Sequence, residues 1–188
     1  MITAAEYLDG VRHLLDQISE QEIDRLADAI YTAWKHGRHV IIFGNGGSAG
    51  TASHIVNDLQ KCIQLETGKA VRAMCLSDCT PLVMAWANDT EFANVYAPQI
   101  ACWGEPGDLV IAISGSGNSP NIIRAVEKAN ELGLHTFGLA GYDGGLLEKT
   151  AKDCIVARTF NMQQIEDIHM IVLHLVFSLV RDRVTQVV

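Results

Sequence analysis

The stretch VIIFGNGGSAGTASH, residues 40–54, decides the fold. It opens with four apolar, partly β-branched residues, which predict a buried strand. The glycine-rich GNGG that follows permits a tight turn, and Ser48 is predicted to open a helix. A helix that begins just beyond a strand presents free N–H groups and the positive end of its dipole, and both suit a phosphate group. The stretch therefore predicts a phosphorylated ligand.

The composition is typical of a soluble globular protein. The 188 residues fit one domain with a full core, and 48% of them are hydrophobic against 19% charged. A formal charge of −8 without a basic stripe disfavours direct nucleic-acid binding. The longest apolar run, 170–180, is too short to span a bilayer, and no signal-peptide pattern is seen. We therefore expect a cytoplasmic protein without a membrane segment.

The five cysteines, at positions 62, 75, 79, 102 and 154, form no CxxC pair. They therefore predict neither a disulfide framework nor a thiolate zinc site. Free cysteine usually behaves as a buried packing residue, and we expect that of these five.

Two helices are predicted ahead of the first strand. Apolar residues recur at helical spacing over 4–17, and Ser19 with Glu22 forms a capping-box pattern for a second helix that ends near Gly37. We expect a single domain, residues 1–188, with its α/β core in 38–188. Helices ahead of such a core have no obvious sheet face, so 1–37 is expected to be an oligomerisation segment.

Strands and helices then alternate. Further strands are predicted near 70–77, 109–113, 135–140 and 155–157, with intervening helices that include 92–103 and a final apolar helix over 162–184. Strands this apolar predict a parallel sheet covered on both faces, in a three-layer αβα arrangement of about five strands. Ligands of such sheets gather beyond the carboxyl ends of the strands.

Two loops at strand ends indicate the kind of ligand. Residues 44–49 match the dinucleotide fingerprint G-x-G-x-x-A, but the acidic residue expected about 20 positions later is absent. Ser114, Ser116 and Ser119 surround two glycines at another strand end and form a hydroxyl-rich cup suited to a terminal phosphate. The alternative is that these serines only cap a helix and form a turn.

Two histidines and two carboxylates form a candidate site. His54 and Asp58 lie four apart on one helix, and Glu166 and His174 lie eight apart on the last helix. Such a set suits zinc or acid–base catalysis; the alternative is solvated carboxylates and structural histidines. Apolar neighbours surround His174 in the sequence, so we expect burial to tune its protonation near neutral pH.

These residues resemble the sugar isomerase (SIS) domain family, and within it the single-domain phosphoheptose isomerases. The motifs that carry the resemblance are GNGGSA at 44–49, His54, Asn88-Asp89, ISGSGNS at 113–119, GYDGG at 141–145 and IEDIHMIVLH at 165–174. The resemblance implies a flavodoxin-like SIS fold and a cytoplasmic homotetramer with its sites between subunits. It also implies conversion of sedoheptulose 7-phosphate to D-glycero-D-manno-heptose 7-phosphate, or a closely related heptose phosphate, through a cis-enediol.

The resemblance further implies roles for individual residues. Asp58 and His174 would be the catalytic acid–base pair. One Zn²⁺ per subunit would be bound by His54, Asp58, Glu166 and His174. Substrate-binding positions would be Asn45, Gly46, Gly47, Ser48, Asp58, Asn88, Asp89, Ser114, Gly115, Ser116, Ser119 and Glu166. Zinc-bound Asp58 and His174 could not also act as free bases, and the sequence leaves this choice open.

Four positions depart from the family pattern. Asp58 stands where glutamate is typical, Glu166 where glutamine is typical and Gly115 where threonine is usual, while Cys62 lies near a common arginine. The charge around any metal therefore differs. Two other functions remain open: a non-catalytic phosphosugar-binding regulator or scaffold of the replication-initiator-associating type, and a nucleotide-dependent enzyme. The paired histidines and carboxylates disfavour the first, and the missing acidic residue disfavours the second.

Overall fold

The computed structural model describes residues 2–187. Its centre is one sheet of five parallel strands: β1 (His39–Gly44), β2 (Arg72–Cys75), β3 (Leu109–Ser114), β4 (His135–Gly141) and β5 (Asp153–Ala157). The strand order is β2-β1-β3-β4-β5, with Val40 of β1 opposite Leu109 of β3. This is the flavodoxin-like order of doubly wound sheets. The predicted parallel sheet is confirmed.

Helices cover both faces of the sheet. They are α1 (Ala4–Leu15), α2 (Glu20–His36), α3 (Gly47–Asn57), α4 (Ile63–Thr67), α5 (Thr80–Asp89), α6 (Ala97–Trp103), α7 (Pro120–Glu131), α8 (Gly145–Thr150) and α9 (Met162–Thr185). One face packs Ile42 and Ile111 against α2, α3 and α9, and the other packs Phe43 and Val110 against α6, α7 and α8. Alternate residues of each strand therefore enter different cores, which gives the predicted three layers.

The two N-terminal helices differ in how they pack. Ser19 caps α2 as predicted, its hydroxyl accepting from the Glu22 amide at 3.4 Å. Leu26 and Ile30 of α2 are fully buried in the core against the sheet, so the expectation that this helix lacks a sheet face is wrong. The other helix, α1, buries Leu14 but leaves Leu8 52% exposed. Since α2 packs on the sheet, α1 is the part of 1–37 whose exposed apolar surface supports the prediction of an oligomerisation segment, which stays a prediction.

Two predicted helices have different ends in the structure. The 92–103 helix is divided into a 3₁₀ turn, Phe92–Asn94, and α6. Pro98 lies in the first turn of α6, and its ring and missing N–H prevent the helix from continuing back through it. After α3 the chain forms a π-helical turn, Asp58–Cys62, before α4. The sequence after the glycine loop predicts one uninterrupted helix over 49–62 instead.

All five cysteines are free, and Cys79 and Cys102 are exposed, so the expectation of burial is wrong for these two. Among residues 2–187, no helix combines the length and the apolarity needed to cross a bilayer.

Candidate functional site

The candidate site lies where the sheet changes its winding direction. Strands β1 and β3 are neighbours, but β1 leads to α3 on one face and β3 leads to α7 on the other. The two loops therefore separate and leave a crevice beyond the carboxyl ends of the strands, as doubly wound folds do. Its lining is Asn45, Gly46, Gly47, Ser48, Ile113, Ser114, Gly115, Ser116, Ser119, Met162 and Glu166.

The serine loop, residues 114–119, forms one wall of the crevice. Ser114 Oγ donates to Ser119 Oγ at 3.3 Å, and Ser116 Oγ accepts from the Asn118 amide at 3.2 Å. Ser119 begins α7 as its N-cap, as predicted, although its side chain makes no capping hydrogen bond. Within residues 2–187 the backbone N–H groups of Ser116, Ser119 and Asn121 have no acceptor. The loop therefore offers hydroxyls and free N–H groups to an anion.

The GYDGG motif holds the serine loop in place. Gly117 has φ +65°, and a Cβ there would overlap the carbonyl oxygen of Gly144. The Leu147 amide donates to Gly117 O at 2.8 Å, and the Leu146 amide donates to Asn118 Oδ1 at 3.0 Å. Only a glycine fits this close approach of two backbones.

The glycine loop, residues 44–48, forms the opposite wall. Gly47 is the first residue of α3, and a Cβ on it would lie 2.7 Å from Glu166 Oε1. The half-buried carboxylate of Glu166 therefore lies against the first turn of α3. The free N–H groups and the dipole of that turn favour a negative charge.

Three side chains could hold a metal ion: one on α3, one in the π-helical turn that follows α3, and one on α9. His54 Nε2 lies 2.9 Å from His174 Nε2, and Asp58 Oδ2 lies 3.4 and 3.9 Å from these two nitrogens. Ligand atoms about 2.0 Å from a tetrahedral zinc are about 3.3 Å apart. Two imidazole nitrogens and a carboxylate oxygen at these separations fit a borderline cation.

Glu166 lies outside this group. Eight residues of helix separate the Cα atoms of Glu166 and His174 by about 12 Å, so Glu166 would have to extend along α9 to join the group. In the structure its carboxylate lies at Gly47 instead. Its role as a fourth ligand stays a prediction.

The buried histidine of α9 is His169, not His174. The side chain of His174 is 48% exposed, so the expectation that burial tunes it is wrong. His169 is 1% exposed, and its Nε2–H donates to Ala140 O at 2.9 Å. Burial lowers the pKa of His169 to about 4. Its Nδ1 atom is buried without a partner among the described residues.

Asn88 and Asp89 lie apart from the crevice. They end α5, are exposed, and are joined by a hydrogen bond of 2.8 Å from Asn88 Nδ2 to Asp89 Oδ1. Asp89 lines a separate depression with Leu82, Ala85 and Trp86. Their predicted role in substrate binding therefore has no support within one chain and stays a prediction.

Two residues of the site were missed from the sequence. Met162 lines the crevice, and Asn121 hydrogen-bonds to Asn45. A signal for Asn121 was present, since it follows Ser119-Pro120 on the first turn of a helix next to the proposed phosphate loop.

Comparison with known proteins gives consistent matches. A family model described as the SIS domain matches residues 6–141. A phosphoheptose isomerase of Crocosphaera subtropica is 39% identical over 141 residues, which cover 75% of this chain and 71% of that protein. A probable phosphoheptose isomerase of Thermoplasma acidophilum is 33% identical over 181 residues, covering 96% and 98%.

A solved phosphoheptose isomerase has the same fold. The structure from Neisseria gonorrhoeae superimposes with a TM-score of 0.86 at 27% identity, covering 95% of this chain and 94% of that one. The SIS fold predicted from the sequence is therefore confirmed.

Proposed function

This chain belongs to the phosphoheptose isomerase family of SIS-domain proteins, and from that premise we propose that it interconverts the ketose and aldose forms of a heptose 7-phosphate. The proposed reaction converts sedoheptulose 7-phosphate to D-glycero-D-manno-heptose 7-phosphate, or to a closely related heptose phosphate, through a cis-enediol.

The observation that carries this proposal is the spacing of two groups along α3 and α9. The two helices share a seam, with Gly47 beside Glu166 at its start and His54 beside His174 further on. The helical rise of about 1.5 Å per residue places the Gly47–Glu166 contact and the His54–His174 contact about 10–12 Å apart along the two helices. Extended chains span about 1.2 Å per bond, so C1 and the phosphorus of a seven-carbon sugar phosphate lie about 10 Å apart. Because Glu166 and the serine loop line the same crevice, a seven-carbon sugar phosphate is long enough to extend from that crevice to His54 and His174.

The charges in the crevice favour the serine loop as the phosphate site. The N-termini of α3 and α7 both lie at the crevice, but that of α3 is already faced by the Glu166 carboxylate. The first turn of α7 contains no acidic residue, and Ser114 and Ser119 lie at its start beside free N–H groups. A phosphate at α3 would also be repelled by Glu166, so we place it at the serine loop, with the sugar carbonyl towards His174.

In the proposed reaction, binding of the phosphate orients the carbon that loses a proton. Asp58 or His174 removes that proton, and the other residue moves protons between the oxygens on C1 and C2. Asp58 Oδ2 and His174 Nε2 are 3.9 Å apart, so both can face the same pair of carbons. Zinc held by His54, Asp58 and His174 would supply Lewis-acid polarisation of the carbonyl, and Asp58 and His174 would then be ligands rather than free bases.

We also propose a cytoplasmic homotetramer. No residue of α5 is buried, and Met84 on this helix is 65% exposed while the neighbouring Phe92 is 54% exposed. Apolar surface of this kind marks protein interfaces. An adjoining subunit on α5 would bring Asn88 and Asp89 next to the crevice of a neighbour, which would give them their predicted role.

The test is proton NMR in deuterated water with sedoheptulose 7-phosphate and a panel of hexulose and pentulose phosphates. We expect deuterium to enter beside the carbonyl of the seven-carbon sugar while the aldose form appears. Binding without exchange across the panel would contradict the enzyme and favour a regulatory phosphosugar-binding protein. Metal analysis of the purified protein and of His54→Ala tests zinc separately, and we expect about one ion per chain only in the former.

A further inference from the structure

A reciprocal pair of hydrogen bonds joins the glycine loop to the first turn of α7. Asn45 Nδ2 donates to Asn121 Oδ1 at 3.0 Å, and Asn121 Nδ2 donates to Asn45 Oδ1 at 2.8 Å. Asn121 is 1% exposed, whereas the crevice lining includes Asn45 but not Asn121. The Asn121 side chain can therefore reach a ligand only through Asn45.

The pairing fixes which atoms Asn45 offers to a ligand. A primary amide has two N–H donors and an oxygen with two lone pairs, and the pair uses one donor and one lone pair of each residue. Asn45 keeps one donor and one lone pair in fixed directions. Without a partner, its terminal torsion would have a broad range of angles.

We propose that Asn121 is a positioning residue, whose amide orients Asn45 and sets the spacing between the glycine loop and the serine loop. The two loops come from strands on either side of the switch point and lead to helices on opposite faces of the sheet. The pair is therefore a direct link between the glycine-loop wall of the crevice and the serine-loop side, where the proposed function places the phosphate. The nature of the ligand rests on the proposed function, while the pair itself does not.

The test compares two probes of the site. In Asn121→Ala the two hydrogen bonds are lost, and we expect kcat/KM for the heptose phosphate to fall about tenfold. In the proposed function inorganic phosphate binds at the serine loop without contacting Asn45, so its inhibition constant should change by less than about twofold. A general disturbance of the site would weaken both probes.

A double-mutant cycle tests whether Asn121 acts through Asn45. If it does, Asn45→Ala/Asn121→Ala should be no more impaired than Asn45→Ala alone. The matched control is Asn130→Ala, because Asn130 also lies on α7 and makes two side-chain hydrogen bonds, to Thr150 O and from Thr136 Oγ1, both at 2.8 Å. It lies at the far end of the helix, so this variant should keep the kcat/KM of the unmodified protein.

A crystal structure of Asn121→Ala supplies a readout that does not need turnover. We expect the Asn45 amide to rotate or to occupy several conformers, and Asn121→Ser replaces this variant if it does not fold. An unmoved Asn45 amide, additive losses in the cycle, or an equal loss for inorganic phosphate would overturn the positioning role. If the unmodified protein shows no turnover but Asn45 is displaced in the crystal structure of Asn121→Ala, the proposed function is contradicted and the positioning role of Asn121 is not.

Discussion

The buried histidine of α9 predicts how the stability of the protein depends on pH. His169 is enclosed, donates through Nε2 to the carbonyl oxygen of Ala140 near the end of β4, and has no partner for Nδ1 among the described residues. Protonating Nδ1 would place a charge in the core without an acceptor. The folded-state pKa is accordingly about 4, against an ordinary value of 6.5.

The sign and size of the effect follow from this difference. Because the folded pKa is below the unfolded one, the unfolded chain binds the extra proton first, and stability falls as the pH falls from 6.5 to about 4. A tenfold change in proton affinity corresponds to about 1.4 kcal/mol, so the loss through His169 reaches about 3 kcal/mol. It is absent above pH 6.5 and grows no further below pH 4.

The assay is urea unfolding at pH 7 and at about pH 4.5, at one protein concentration so that association does not alter the comparison. His169→Gln keeps a donor for Ala140 O but cannot be protonated. We expect this variant to lose about 2–3 kcal/mol less than the unmodified protein on acidification. Ser178→Ala, an exposed position on the same helix, serves as control. Equal losses in His169→Gln and the unmodified protein would refute the reasoning.

Three further changes test the site and its supporting loop. His174→Ala should lower kcat by at least about a hundredfold without changing the melting temperature, because the side chain is half exposed; near-normal turnover would exclude it from the chemistry. Ser116→Ala should raise KM for the phosphorylated sugar about tenfold with little effect on kcat, measured by steady-state kinetics. Gly117→Ala should lower the free energy of unfolding by at least about 2 kcal/mol, because Gly117 has φ +65° and an added Cβ would overlap the carbonyl oxygen of Gly144. The control is Gly50→Ala on α3, where an added Cβ meets no atom within 4 Å. This variant should be neutral or stabilising in the same denaturation assay.

Most of the fold follows from local signals in the sequence. The apolar runs that begin β1 and β3 are each followed by glycine and serine, and Ser19 and Ser119 mark helix starts that the structure confirms. These signals act over a few residues, so a single sequence contains them. The burial of α2 against the sheet depends on contacts between distant segments, and no local signal encodes it.

The candidate site was only partly predictable for the same reason. Parallel strands end at one edge, so the meeting of the glycine and serine loops follows from the sheet alone. The 2.9 Å approach of His54 to His174 depends on how α3 and α9 lie beside each other, and spacing within each helix does not determine it.

The choice between His169 and His174 could have been made correctly from the sequence. The buried residues of α9 follow the spacing of three and four that marks one helix face: Ile165, His169, Val172, Val176 and Val180. His174 lies off that face although apolar residues flank it in the sequence. Helical periodicity, rather than the polarity of immediate neighbours, indicates which histidine is buried.

In the proposed function the serine loop binds a dianion, in a protein whose formal charge is −8. Among residues 2–187 no lysine or arginine lines the crevice, so the proposed affinity for phosphate has to come from N–H groups and hydroxyls that converge on one point. Such donors are effective only when the backbone holds them in position beforehand, since each is weaker than a charge. The contacts of Gly117 with Gly144 and of Asn118 with Leu146 provide that rigidity. It follows that phosphate binding should be more sensitive to changes in the GYDGG loop, none of whose residues 141–145 lines the crevice, than to the loss of any one serine hydroxyl.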